Sequence, residues 1–201
     1  PFLSKNFPHR IKPMKTLRRN RSLLGWFMAF LMVFAQMPIG TLRGATFYWA
    51  LDDGFGGGLP NFGGDWDTFG LNWYPNRTYD ALDVTAWDNF GNHTAVFGDP
   101  SFGAGPSGIS IVAPITVGAI RFEADGVGLE AVTSSNRLTF ASAAPSITVV
   151  GDGFKNNTIA TINAGLAGTN GLSLAYDATS ANPGDRGTVV LGGAGAGFNT
   201  T

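Results

Sequence analysis

The sequence contains no cysteine. That excludes disulfides and thiolate metal sites, so whatever fold forms must be held by its core and its backbone ladder. No acidic residue stands before position 46, whereas Lys5, Arg10, Lys12, Lys15, Arg18, Arg19, Arg21 and Arg43 do. All 14 acidic residues follow, against Arg77, Arg121, Arg137, Lys155 and Arg186, so the net charge of -1 hides a basic leader joined to an acidic remainder. An acidic remainder cannot displace phosphate counterions or grip anionic lipid, which argues against nucleic acid as a partner. Lys and Glu are scarce throughout, and no segment after Ala45 carries a helical period.

What is present begins with an uncharged run, Leu23 to Ala35, directly after the basic stretch. It is shorter than the roughly 20 residues of a bilayer span, and reads as the apolar core of a signal peptide. Val33-Phe34-Ala35 offers small residues for cleavage after Ala35. Gly44 and Ala45 are later candidates, with Arg43 awkward beside them. Continuing the run to Leu42 would reach the length of a retained signal anchor. Met14-Lys15 resembles a natural start, and the residues before it are left out of the fold reasoning.

Residues 46–106 are crowded with aromatics and Gly, including Phe47, Trp49, Trp66, Trp73, Trp87 and Phe97. Breaks such as Gly54-Phe-Gly-Gly-Gly58 and Asp99-Pro100 leave room only for short strands and turns. From residue 107 to 201 the texture changes to β-branched runs of period two: Ile109 and Ile111, Ile115 and Val117, Ile120 and Phe122, Leu138 and Phe140, Ile147 and Val149. Each run presents one apolar face. The runs continue through Thr158–Ile162, Leu172–Tyr176 and Thr188–Leu191. Short strands and Asn/Gly corners favour a right-handed parallel β-helix, a β-solenoid, over a sandwich. The expected organisation is a leader and signal peptide (1–45), an aromatic cap (46–106) and solenoid rungs (107–201) whose last strand leaves an edge for further rungs.

Those residues resemble the autotransporter-associated β-strand repeat proteins. The resemblance runs in order through Asp65–Thr68, Leu71–Trp73, Thr85–Asp88, Asn92–Gly98, Ile115–Phe122, Leu138–Phe140, Thr161–Gly165 and Gly187–Gly193. The strand repeat itself is represented only by the last run, where Asn182–Asp185 replaces the simpler turn. The resemblance implies an exported protein at the cell surface, in the outer membrane or outside the cell. It brings no catalytic residue or cofactor, and implies a carboxy-terminal membrane or sorting element beyond further rungs.

Candidate sites are few. Asp65 and Asp67 place two carboxylates on one side of a strand, but Phe69 and Asn76 stand where a calcium loop needs ligands, so turn-capping or solvated aspartates are the plainer reading. Trp66, Trp73 and Trp87 could form a flat platform for sugar rings, but the filling and capping of a solenoid end is the plainer reading. His93 with Asp88 and Ser107 lacks a nucleophile elbow, and Gly192–Gly197 lacks the final Gly and helix of a nucleotide loop. Asp152 and Lys155 are too isolated for a lyase. The expectation is a non-enzymatic passenger, without metal or cofactor, that contacts a surface ligand or polysaccharide. A carbohydrate-binding or carbohydrate-active β-helix and a signal-anchored envelope protein are the alternatives.

Overall fold

The computed structural model describes residues 44–52, 58–102, 105–151, 157–178 and 186–192. The signal segment up to residue 43, Asp152, Lys155 and Gly193–Gly197 lie outside the described residues. In chain order the first strands are β1 (Thr46–Trp49), β2 (Leu51–Asp52), β3 (Gly58–Leu59), β4 (Gly64–Trp66), β5 (Trp73–Tyr74) and β6 (Thr94–Phe97). A 3-10 turn, Pro100–Phe102, then leads into a regular series. Its strands are β7 (Ile109–Ile111), β8 (Ile115–Val117), β9 (Ala119–Phe122), β10 (Val127–Ala131), β11 (Arg137–Phe140), β12 (Ser146–Val150), β13 (Asn157–Asn163), β14 (Gly165–Gly168), β15 (Ser173–Asp177) and β16 (Arg186–Gly192). There is no α-helix among the described residues.

These strands form three long sheets with the orders β15-β12-β9-β6-β1-β5, β16-β13-β10-β7-β4 and β14-β11-β8, and a small β2-β3 hairpin. All pairs within the long sheets are parallel except β1 with β5. From β7 onward the chain visits the three sheets in turn and then repeats the circuit one strand further along, which is a β-solenoid.

Period two explains the core. Ile109, Ile111, Ile115, Val117, Ile120, Phe122, Leu138, Phe140, Ile147 and Val149 are all buried, while residues between them such as Ser110 and Thr116 are half-buried on the outside. Parallel register stacks like on like from coil to coil. Ile109 lies beside Leu129, Leu129 beside Ile162, and Ile162 beside Leu191. A second row runs through Ala95, Ile120, Ile147 and Leu174. Burying each such side chain contributes roughly 1.5–3 kcal/mol, and no rung gains this without a neighbour. In the run Thr158–Ile162 the phase turns Ala160 and Ile162 inward and leaves Ile159 exposed.

The aromatic residues 46–106 share sheets with the rungs: β1 and β6 lie in one long sheet and β4 in another. The aromatic segment is therefore the first, irregular coil. Burial falls at the opposite end, where Leu174 continues a row of buried side chains yet is 56% exposed, and Val190 is 44% exposed.

Candidate functional site

Four indoles fill the interior of the first coil. Trp49, Trp66, Trp73 and Trp87 are each at most 2% exposed, with ring centroids 4.6 Å apart for Trp73 and Trp87, 5.2 Å for Trp66 and Trp73, and 5.3 Å for Trp66 and Trp87. Their edge-to-face and tilted packing suits the aromatic quadrupole. Phe97 joins them 5.2 Å from Trp66 and stacks on Phe122 at 5.8 Å, which carries the cluster into the first regular rung. In this irregular coil large rings close the volume that aliphatic rows fill further along. Trp66, Trp73 and Trp87, weighed above as core filling or as a sugar platform, are buried with their rings packed against one another.

The same end is closed at its strand edges. In the sheet that ends on β8, the side chain of Asn89 accepts the Thr116 N–H at 2.8 Å and donates to the Pro114 carbonyl at 3.1 Å. The indole N–H of Trp87 donates to the Thr116 carbonyl at 3.0 Å. In the sheet that ends on β4, Asn72 donates its side-chain amide to the Asp65 carbonyl at 3.2 Å. The remaining sheet ends in the antiparallel strand β5, with Tyr48 opposite Tyr74 and Trp49 opposite Trp73. Each device occupies backbone groups that would otherwise template another strand. At the far end, β14, β15 and β16 each have a strand partner on one side only among the described residues.

An ion network crosses the outside of the coil. Glu123, its side chain 5% exposed, is paired with Arg77 and, at 2.7 Å, with Arg121, and Arg121 reaches Asp177 at 2.9 Å. Burial alone lowers the Arg121 guanidinium, but its hydrogen bonds to Glu123 and Asp177 outweigh this and hold it above its ordinary value. Arg77 is likewise raised, burial opposing and Glu123 prevailing, and its guanidinium lies 4.7 Å from the Tyr48 ring centroid. The Tyr79 hydroxyl donates to Asp99 at 3.4 Å. Burial first, and then the Asp99 charge, push its phenol well above the usual range.

The other sequence candidates have ordinary places. Asp67 accepts the Phe69 and Gly70 N–H groups at 2.8 and 2.5 Å and so caps a turn. His93 accepts the Ala45 N–H at Nδ1, 3.0 Å away, and faces Asp88 through Nε2 at 3.5 Å. Both ring nitrogens are thus engaged, and neither is left for Ser107. No group of three or more His, Asp or Glu side chains able to hold a metal occurs among the described residues. An open groove of about 270 Å³ between residues 131–134 and 163–165 carries no charged side chain. Sequence reasoning missed Asn72, Asn89 and Glu123. The nearest signal was a Trp within two residues of each Asn, in Leu71-Asn-Trp73 and Trp87-Asp-Asn89.

Over 179 residues the chain is 33% identical to the adhesin BmaC autotransporter of Brucella suis biovar 1 (strain 1330), an alignment taking in 85% of this chain. The chain is an autotransporter-related passenger. It spans 5% of that adhesin's length. No family model and no solved structure matches it. The relationship of this passenger to autotransporters therefore stands on that alignment together with the solenoid of parallel sheets, and not on a repeat-family model.

Proposed function

We propose that the chain is a non-catalytic passenger region displayed at the cell surface, whose stacked strands hold an adhesive surface away from the cell. The observation that carries this is a solenoid closed at its aromatic end and built as continuous rows away from it, in a chain aligned with an autotransporter adhesin. Such a coil transmits shape along its length, since each rung contacts only its neighbours. The outer ion network of Arg77, Glu123, Arg121 and Asp177 ties the first coil to the strand region of β9 and, across β12, to β15, and suits a rigid spacer. The partner is a surface ligand or polysaccharide recognised outside the buried tryptophans.

The test uses the full protein in its own bacterium. Protease added to intact cells is expected to remove the region, and deletion of residues 44–192 to reduce attachment to a host-cell or polysaccharide-coated surface. A region protected from protease in intact cells and degraded only after lysis would contradict the proposal, as would attachment unchanged by the deletion.

A further inference from the structure

Three turns at the capped end are built alike. In each, an aspartate accepts the N–H of the residue two places on: Asp67 that of Phe69 at 2.8 Å, Asp80 that of Leu82 at 3.0 Å and Asp88 that of Phe90 at 2.8 Å. The residue so held is large and apolar, and it stands in solvent: Phe69 is 86% exposed, Leu82 92% and Phe90 96%. An aspartate-capped turn makes no demand for an apolar residue at that place, since the bond is to the backbone N–H. Three such residues therefore call for a reason outside the turns.

The three side chains are carried at one end of the coil. Phe69 follows Trp66 of β4 by three residues, Phe90 follows Trp87 by three, and Leu82 precedes by three the Thr85 that pairs with Trp73 of β5. Those tryptophans pack with ring centroids no more than 5.3 Å apart, and three residues of chain reach at most about 10 Å. Each of the strands β4, β5 and β8, the last of which is capped beside Phe90 by Asn89, ends one long sheet. Clustered apolar side chains in solvent mark a contact surface.

The charge around them has one sign. Asp65, Asp80, Asp83 and Asp88 are exposed and Asp67 is half-buried. Between residues 44 and 106 the only Lys or Arg is Arg77, which is paired with Glu123. A second copy of this end would bring the same aspartates, and anionic lipid would be repelled in the same way.

We propose that the capped end docks a basic polypeptide segment with apolar side chains, which sets those side chains on Phe69, Leu82 and Phe90 and its cations against the surrounding aspartates. The proposal deepens the adhesive reading by naming the partner's chemistry, and rests on that reading. The charges steer the encounter and select the sign of the partner, while the apolar contacts supply the affinity.

The test titrates the purified full protein with an amphipathic Lys/Leu peptide and with a Glu/Leu peptide of the same pattern. Only the Lys/Leu peptide should bind, more weakly as salt is raised. Phe69→Ser, Leu82→Ser and Phe90→Ser combined should weaken binding about tenfold or more with Tm unchanged. Phe90→Ser alone carries the test should the triple variant misfold. Asp67→Asn with Asp80→Asn keeps an acceptor in each turn and removes two charges, so it should weaken binding and flatten the salt dependence. Equal binding of the two peptides, or wild-type binding by the triple variant and by Phe90→Ser, overturns the proposal. So does self-association, or binding to phosphatidylcholine vesicles, that these variants abolish while the Lys/Leu peptide does not bind. Cell attachment lost on deletion of residues 44–192 yet kept in the triple variant overturns this surface and leaves the adhesive reading standing, whereas attachment unchanged by the deletion overturns both.

Discussion

Asn89 pairs with β8 through Thr116 as a strand would, its Oδ1 taking the Thr116 N–H at 2.8 Å while its Nδ2 reaches the Pro114 carbonyl at 3.1 Å. One side-chain amide thereby reproduces the donor and acceptor of a peptide group and ends the sheet without adding a strand. A backbone edge left open invites another chain, so this contact bears on association as well as stability.

Asn89→Ala should expose that edge. The expected outcome is faster hydrogen exchange at the Thr116 amide and a loss of about 0.5–1.5 kcal/mol, the range for a typical hydrogen bond whose groups water can still reach. Asn89→Asp keeps an acceptor for Thr116 but sets a carboxylate against the Pro114 carbonyl, and should fall between wild type and Ala. Unchanged exchange at Thr116 in Asn89→Ala would count against the capping role.

The indoles divide by hydrogen bonding. Trp87 donates to the Thr116 carbonyl, whereas the buried Trp66 Nε1 has no hydrogen-bond partner among the described residues. Trp87→Phe should therefore be costlier than Trp66→Phe by about 1 kcal/mol in denaturant unfolding. Replacing either by Ala opens a cavity and should cost about 3–5 kcal/mol. The reverse order of the two Phe variants would contradict the assignment.

Period two made the rungs readable before any coordinates, because pairs such as Ile109 with Ile111 and Leu138 with Phe140 can bury together only as strands facing one core. Export location and ligand were not readable in this way. The aromatic cap was legible as a segment, but Trp66, Trp73 and Trp87 within it have the composition of either a binding platform or a plug, and composition does not give their burial. Asn89 has the look of any turn residue, since nothing local shows that β8, some 25 residues later, lies within reach of its amide. Glu123 is similar, for its partners Arg77, Arg121 and Asp177 are brought together by stacking of coils and not by spacing in the chain.

Glu123→Gln should leave Arg77 and Arg121 without their shared countercharge. Both guanidinium groups are about a third exposed, so solvent screens them, and the expected loss is about 1–3 kcal/mol, below that of a fully buried pair. Thermal unfolding checks it, and a Tm within a degree of wild type would contradict a structural role for the network.

The phenol of Tyr79 is raised in the folded state by burial and then by Asp99. Its stabilising contribution is fully present below the ordinary tyrosine value near 10. As pH rises past that value the unfolded chain loses its proton first, so stability falls. Unfolding free energy should thus decline above about pH 10, and Tyr79→Phe should reduce the slope. Absorbance titration of tyrosinate should show this residue ionising later than exposed tyrosine; an equal slope in Tyr79→Phe would refute the assignment.

The coil and its display can be tested in one experiment because the sequence holds no cysteine of its own. Thr139 on β11 lies beside Ala167 on β14, and beside Thr116 on β8 in the other direction. Neighbouring strands stand about 4.8 Å apart, within the Cα range of a disulfide, whereas strands two places apart are about twice as far. With a membrane-impermeant oxidant on intact cells, the pair Thr139→Cys and Ala167→Cys should cross-link, and the pair Thr116→Cys and Ala167→Cys should not. Failure of the first pair, or cross-linking of the second, would contradict a surface-displayed parallel solenoid in this register.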